Sequence, residues 1–227
     1  MNLAEHYNNL YSQSATKIAS GNYETDPLID DPNDNRFGIT LVIRPDDKTK
    51  HSIQRFLAEV KAIEPEQYYY QNTDLHITVM SVISCYEGFD LNSINIQDYV
   101  EIIESILQKY RTFNIHFKGL TASPSCILIQ GFLTDTLNAI RDDLRIAFKN
   151  TALQQSIDKR YAIQTAHSTI IRFKKKLRDE KALMEIAAKY REFDFGTFNV
   201  DKIELVYNDW YQRGRFVKKL HDFELNT

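Results

Sequence analysis

The hexapeptide Leu75-His76-Ile77-Thr78-Val79-Met80 returns in near-copy as Ala166-His167-Ser168-Thr169-Ile170-Ile171, 91 residues further on (76 to 167). This repetition constrains the fold more than any other feature, because both copies must occupy equivalent settings. Their β-branched content predicts strands, and strand side chains alternate between faces. His76 and Thr78 therefore share one face while Ile77 and Val79 share the other, and His167 with Thr169 repeats the arrangement. Each copy presents an imidazole and a hydroxyl from one rigid surface.

One such strand alone reads most simply as a hydrogen-bonded histidine in a half-buried strand. Two copies weigh differently. The chain has six histidines, and two chance occurrences of His, any residue, Thr and an aliphatic residue fall at about the one per cent level for average amino-acid usage. Imidazole has an ordinary pKa near neutrality, so one neutral and one protonated copy can act together as base and acid. That pairing suits phosphodiester cleavage. One ring takes a proton from the attacking water or hydroxyl, the other gives one to the departing oxygen, and the hydroxyls hold the phosphoryl oxygens. The scheme requires no metal and no cofactor.

The surroundings of the motifs are duplicated too. Gly38-Ile39-Thr40-Leu41-Val42-Ile43 predicts a strand, and Ile53, Phe56, Leu57 and Val60 predict a helix before the first histidine strand. In the second half, the strand Cys126-Ile127-Leu128-Ile129-Gln130 and the helical stripe Leu137, Ile140, Leu144 and Phe148 precede the second. Ile39 to His76 is 37 residues and Ile127 to His167 is 40. After each motif comes a helix and a strand: Tyr99, Ile102, Ile103, Ile106 and Tyr110 before 113–117, then Leu183, Ile186, Ala187 and Tyr190 before 198–206. A last strand spans about 214–225. Two β-α-β-α-β halves, about 37–120 and 121–227, predict an α+β, bilobal domain with a pseudo-twofold axis. Sheets face a central cleft and helices lie outside. Residues 1–36 form an extension, a helix over 3–20 and then a solvated loop lying over the cleft, rich in turn formers.

At these residues the chain resembles the two-histidine (2H) phosphoesterase superfamily, defined by two His-hydrophobic-Thr/Ser-hydrophobic motifs on a bilobal fold. The resemblance spans most of the chain after about Phe37. It implies that His76, Thr78, His167 and Thr169 are catalytic. It also implies a metal-independent phosphodiesterase acting on a 2′,3′-cyclic or 2′-5′ type phosphodiester of a nucleotide or RNA end. RNA 2′-5′ ligation, as its reverse-direction relative, and a non-catalytic module holding a nucleotide or RNA end are the alternatives. Ser168 stands where the family carries a hydrophobic residue, a departure that bears on packing rather than chemistry.

Other residues complete the reading. Arg172-Phe173-Lys174-Lys175-Lys176-Leu177-Arg178 is a basic run beside the second motif, with Arg172 and Lys174 as phosphate-binding candidates. Strict alternation sends Arg172 to the face opposite His167 unless the strand bulges. Trp210 and Tyr211, in a polar turn, are the leading candidates to stack a base, ahead of Tyr68, Tyr69, Tyr70, Tyr161 and Tyr207. His6, His51, His116 and His221 lack the following Thr-aliphatic pair and read as structural or surface groups. The acidic loop 21–36 lacks the offsets of a calcium loop. A net charge of −3 and a pI near 6.1 argue against coating nucleic acid or membrane by bulk electrostatics. Cys85 and Cys126 fit a reducing compartment, and the N-terminus lacks a signal-peptide core, so the expected location is cytoplasmic. Oligomeric state is left open.

Overall fold

The computed structural model describes residues 2–133 and 135–227. In chain order the elements are α1 (Leu3–Ala19), a 3-10 turn (Pro27–Asp30), β1 (Arg36–Ile43), α2 (Asp47–Ile63), β2 (Tyr68–Tyr69), β3 (Ile77–Glu87), a second 3-10 turn (Leu91–Ser93), α3 (Ile96–Leu107), β4 (Phe113–Ser123) and β5 (Cys126–Leu133). Then follow α4 (Asp135–Lys149), β6 (Ser168–Arg172), α5 (Glu180–Lys189), β7 (Asp194–Val200), β8 (Lys202–Asp209) and β9 (Lys218–Glu224). Side-chain caps start the helices where the sequence offers them: Asn2 before α1, Asp46 before α2, Asn95 before α3 and Asp179 before α5 each accept a hydrogen bond from the first turn.

The strands build two antiparallel sheets, ordered β3-β1-β8-β9 and β2-β6-β5-β4-β7. Setting β3-β1-β8-β9 against β6-β5-β4-β7 makes the pseudo-twofold relation visible: each sheet holds one histidine strand beside the strand that begins its half. The α+β class and the two-sheet duplication are therefore present, with an exchange that the sequence reading did not contain. Strand β4, which closes the first half, pairs with β5 in the second sheet, and β8, from the second half, pairs with β1 in the first. The single strand expected over 198–206 is two strands in different sheets, because the chain crosses over at Asp201. Aspartate is a poor strand former, and its carbonyl accepts from Leu225 N instead.

Helices are exchanged in the same way. The apolar stripe of α2 meets the second lobe, with Phe56 edge-on to Tyr190 and Phe195. α4 packs beside α3 on the first lobe, Phe148 against Tyr99 and Asp143 accepting from the Tyr110 hydroxyl at 2.9 Å. The loops after these helices follow them. Tyr68 and Tyr69 pair with the edge of β6 as β2. The loop after α4 runs along the edge of β3, where Ser156 N donates to Val82 O at 2.9 Å and Ser84 N to Ser156 Oγ at 2.6 Å. Both motif strands thus have their open edges covered by chain from the other half.

The N-terminal segment is tied into the same body. Tyr7 and Ile18 of α1 are fully buried, the Tyr7 hydroxyl donates to Gly131 O at 3.1 Å, and Thr121 Oγ1 donates to Tyr7 O at 2.9 Å. The segment expected as a solvated loop is instead anchored: Asp26 N donates to Phe173 O, Ile29 is buried, and Arg213 donates to Ile29 O. Two of its carboxylates bind cations of the chain. Asp34 binds Arg36 through two 2.7 Å contacts, and Asp30 binds Lys174 at 2.7 Å.

Gly131 marks where the second motif is brought close, since a Cβ there would sit 1.9 Å from Ala166 O. Gly131→Ala should therefore force β5 away from the segment entering β6 and lower stability by about 3 kcal/mol, the upper end of overpacking costs. Thermal unfolding should show a drop of roughly 6–12 °C for a domain of this size; an unchanged midpoint would contradict the close approach.

Candidate active site

The two motifs match in detail. Along Leu75–Ser81 and along Ala166–Arg172 the pattern is the same: buried, half-buried, buried, half-buried, buried, buried, half-buried. The doubled buried pair is a β-bulge in each strand. Val42 faces Thr78 and Leu41 faces Met80, so Val79 is extra; Leu128 faces Thr169 and Ile127 faces Ile171, so Ile170 is extra. One extra residue reverses the parity of everything after it. Arg172, which strict alternation assigns to the far face, is thereby returned to the face of His167 and Thr169. Its counterpart in the first motif is Ser81.

His76 and His167 each stand just before the strand, with Nδ1 bonded two residues back. His76 Nδ1 lies 2.7 Å from Asp74 O, and His167 Nδ1 lies 2.7 Å from Thr165 Oγ1. A carbonyl only accepts, so His76 Nδ1 carries the proton and Nε2 is the nitrogen left for the cavity. The hydroxyl opposite His167 can serve as donor or acceptor, which makes the two rings inequivalent. Asp74 is itself fixed: its carboxylate accepts from the Tyr68 hydroxyl (2.6 Å), Thr73 Oγ1 (2.7 Å) and Gly214 N (2.7 Å). Burial pushes both imidazoles down to about 4, helped at His76 by the charge of Arg44 and at His167 by those of Arg141 and His6. Both rings are neutral at pH 7 until an anion enters.

His76, Thr78, His167, Thr169, Arg172, Trp210 and Tyr211 all line one cavity of about 240 Å³, several times the share of a water molecule, ~30 Å³. Lys174 does not. The chain turns after β6, and Lys174 pairs with Asp30 while Lys175 and Arg178 pair with Glu66. Of the basic run only Arg172 faces the cavity, 3.6 Å from the Asp26 carboxylate and with its Nε lacking a partner. Tyr211 is closed to a base. It is 1% exposed, its ring is flanked by Arg36, Arg172 and Arg213, and its hydroxyl donates to Asp26 at 2.8 Å. Trp210 is half-buried at the wall, with the guanidinium of Arg160 at 4.2 Å and that of Arg36 at 4.9 Å from its ring centre. Ser168, the departure from the motif, points away from the cavity face and its buried hydroxyl has no partner. Among the described residues no group of three or more His, Cys, Asp or Glu is gathered as a metal site, and no helix is long and apolar enough to cross a membrane.

Sequence reasoning missed three arginines. Arg145 and Arg160 line the cavity, and nothing in their local sequence distinguished them from surface charges. Arg141 is fully buried and binds both motifs at once: Nε donates to Val79 O (3.0 Å), and Nη2 donates to Thr78 O (2.8 Å) and Thr165 O (2.8 Å). A signal for it was present, since Arg141 falls inside the apolar stripe Leu137, Ile140, Leu144, Phe148 of α4. Burial, with the charge of Arg145, draws its pKa down to about 10, so it stays charged at neutral pH.

Comparison with known proteins agrees with this fold. The family model described as the 2′-5′ RNA ligase superfamily matches residues 45–211. Among solved structures, TT0787 of Thermus thermophilus is similar at a TM-score of 0.62 and 12% identity, over 82% of this chain and 97% of that one. LigT of E. coli complexed with 3′-AMP is similar at 0.54 and 12%, over 85% and 99%, and the same protein is known complexed with ATP and with NADP+. The conserved protein of unknown function ATU0111 from Agrobacterium tumefaciens str. C58 is similar at 0.54 and 16%, over 95% and 99%. At these identities the likeness is one of fold. No curated protein matches the chain by sequence.

Two stability measurements test the site. Both histidines have folded-state pKa values near 4, below the ordinary 6.5. The unfolded chain therefore binds their protons first as pH falls, and stability is lost between about pH 6.5 and 4, by roughly 3 kcal/mol per ring at the lower end. Replacing both with Asn should flatten denaturant-derived stability across that window; equal acid losses in variant and wild type would contradict the burial of the rings. Arg141→Met should remove the donor that these three carbonyls share and cost about 3–5 kcal/mol at pH 7, read by urea unfolding.

Proposed function

Because the chain belongs to the 2′-5′ RNA ligase superfamily of two-histidine phosphoesterases, we propose that the cavity cleaves a 2′,3′-cyclic or 2′-5′ type phosphodiester of a nucleotide or RNA end by metal-independent acid–base catalysis. One observation carries this reading: the four motif side chains His76, Thr78, His167 and Thr169 converge on one cavity from segments with the same burial pattern and the same bulge. The duplicated domain, 37–227, is the unit that builds the site, with 1–36 docked against it.

The chemistry follows from the pairing. One neutral imidazole takes the proton of water as its oxygen bonds to phosphorus; the bond from phosphorus to the ribose oxygen breaks, and the other imidazole, protonated, supplies the proton to that oxygen. Thr78, Thr169 and Arg172 hold the phosphoryl oxygens as charge builds on them. An entering phosphate supplies the negative charge that lets one of two half-buried, neutral rings take up a proton. With a ribose hydroxyl in place of water the same groups run ligation, and the superfamily's name supports that direction as a second reading. LigT complexed with 3′-AMP, ATP and NADP+ supports nucleotides as the ligand class.

His76→Ala and His167→Ala should each lower kcat by about 10²–10⁴ on the true substrate with the fold intact, and the double variant should lose little more, since the rings act as a unit. Thr78→Val and Thr169→Val should cost less. The rate should pass through a bell with pH, kcat having its limbs at higher pH than kcat/KM because bound phosphate favours the charged ring. Assays in chelator on 2′,3′-cyclic nucleotides and 2′-5′ oligoadenylates, with products resolved as hydrolysed or ligated, check this. Wild-type turnover in either histidine variant, or strict dependence on a divalent metal, would refute the mechanism.

A further inference from the structure

The cavity extends well beyond the histidines. Thr78 and Cys85 both line it, and they stand seven residue steps apart on one strand, roughly 20 Å at about 3.3 Å per step. That exceeds the span of a mononucleotide. At the far end stands Arg160, whose guanidinium lies 4.2 Å from the Trp210 ring centre and donates one long hydrogen bond, 3.4 Å, to Cys85 O. Arg160 forms no ion pair among the described residues. The neighbouring carboxylate is not available to it, because Asp158 binds Arg145 at 2.5 and 3.3 Å. Arg36, on the same indole, shows the contrast: it is neutralised by Asp34 through two 2.7 Å contacts.

A planar cation held on an aromatic face, with N–H groups and charge left over, is a site for a phosphate oxygen. Two neighbours fit a nucleotide there. Tyr161 is 65% exposed and lines the same cavity, which leaves its ring open to a base. Asn208, 2% exposed in the same wall, uses its amide nitrogen on Asp209 O and Cys85 Sγ, while its amide oxygen has no donor among the described residues.

Resting on the reaction proposed above, we infer that Arg160, seated on Trp210, is a second phosphate-binding point of the cleft, so that the substrate is an oligonucleotide whose chain runs along β3 from the scissile phosphate towards Cys85. Single-stranded RNA has the matching chemistry, a backbone anion for the guanidinium and a base face for Tyr161.

The test compares a 2′,3′-cyclic mononucleotide with a pentaribonucleotide ending in the same cyclic phosphate, on wild type, Arg160→Gln and Arg160→Lys. Wild type should favour the pentamer in kcat/KM by about tenfold or more. Arg160→Gln should remove most of that preference through KM, and Arg160→Lys should restore part of it. The salt dependence of pentamer binding should flatten by about 0.7 in log–log slope, the value for one phosphate on a single strand. Equal loss on both substrates, or no change in the preference, overturns the subsite. Fluorescence anisotropy of a labelled pentamer separates this from the reaction: if wild type turns over neither substrate the proposed reaction fails, whereas equal affinity of wild type and Arg160→Gln for the pentamer overturns the second site alone.

Discussion

The cleft depends on one buried cation. Arg141 reaches from α4 to the carbonyls of Thr78 and Val79 in the first motif and of Thr165 at the entrance to the second. Among the described residues it has no carboxylate partner, and Asn138 Oδ1 is its remaining acceptor there, at 3.1 Å. A desolvated guanidinium is costly, and hydrogen bonds to a charged group offset that at about 1.5–3 kcal/mol each. The balance holds only if both motif segments stay where the fork can reach them. The arginine therefore acts as a gauge that fixes the distance between the two halves of the site.

The carbonyls it holds are those of the bulge. In a regular strand, Thr78 and Thr169 would be followed on their face by the residues two further on, Met80 and Ile171. The extra residues Val79 and Ile170 turn those side chains into the core and bring Ser81 and Arg172 to the cavity instead. A bulge disrupts the ladder locally, and in the first motif Arg141 donates to the carbonyls of Thr78 and Val79 at that point. The pseudo-twofold relation then breaks at the position after each bulge: serine on one side, arginine on the other. That difference gives an otherwise near-symmetric pair of motifs a direction.

Exchange between the halves explains why the motifs meet at all. Each crossover helix and the loop after it pack on the opposite lobe, so neither sheet can close without chain from both halves. The same exchange carries the loop bearing Arg160 and Tyr161 to the edge of β3, far in sequence from the motif it serves. Burial in this junction removes water from both imidazoles and sets their pKa values below neutrality. Both rings are neutral at pH 7, and one of them can take up a proton when an anion arrives.

Much of this was legible in the residues. The repeated His-x-Thr pattern established that two like strands present like groups, and helical spacing located α2, α3, α4 and α5, because local periodicity and β-branching are written in neighbouring positions. The side of the sheet taken by Arg172 was not legible, since a bulge is set by pairing with another strand and inverts the alternation on which the reading relied. Nor were the break at Asp201, the occupied state of Tyr211, the neutralisation of Lys174 or the reach of Arg141. Each depends on partners brought from elsewhere in the chain. That two like strands each carry a histidine and a threonine on one face could be read from the residues alone, because repetition and alternation are local properties. Which way those groups face and what charge they carry waited on the folded chain, because facing and burial are properties of contacts between segments distant in sequence.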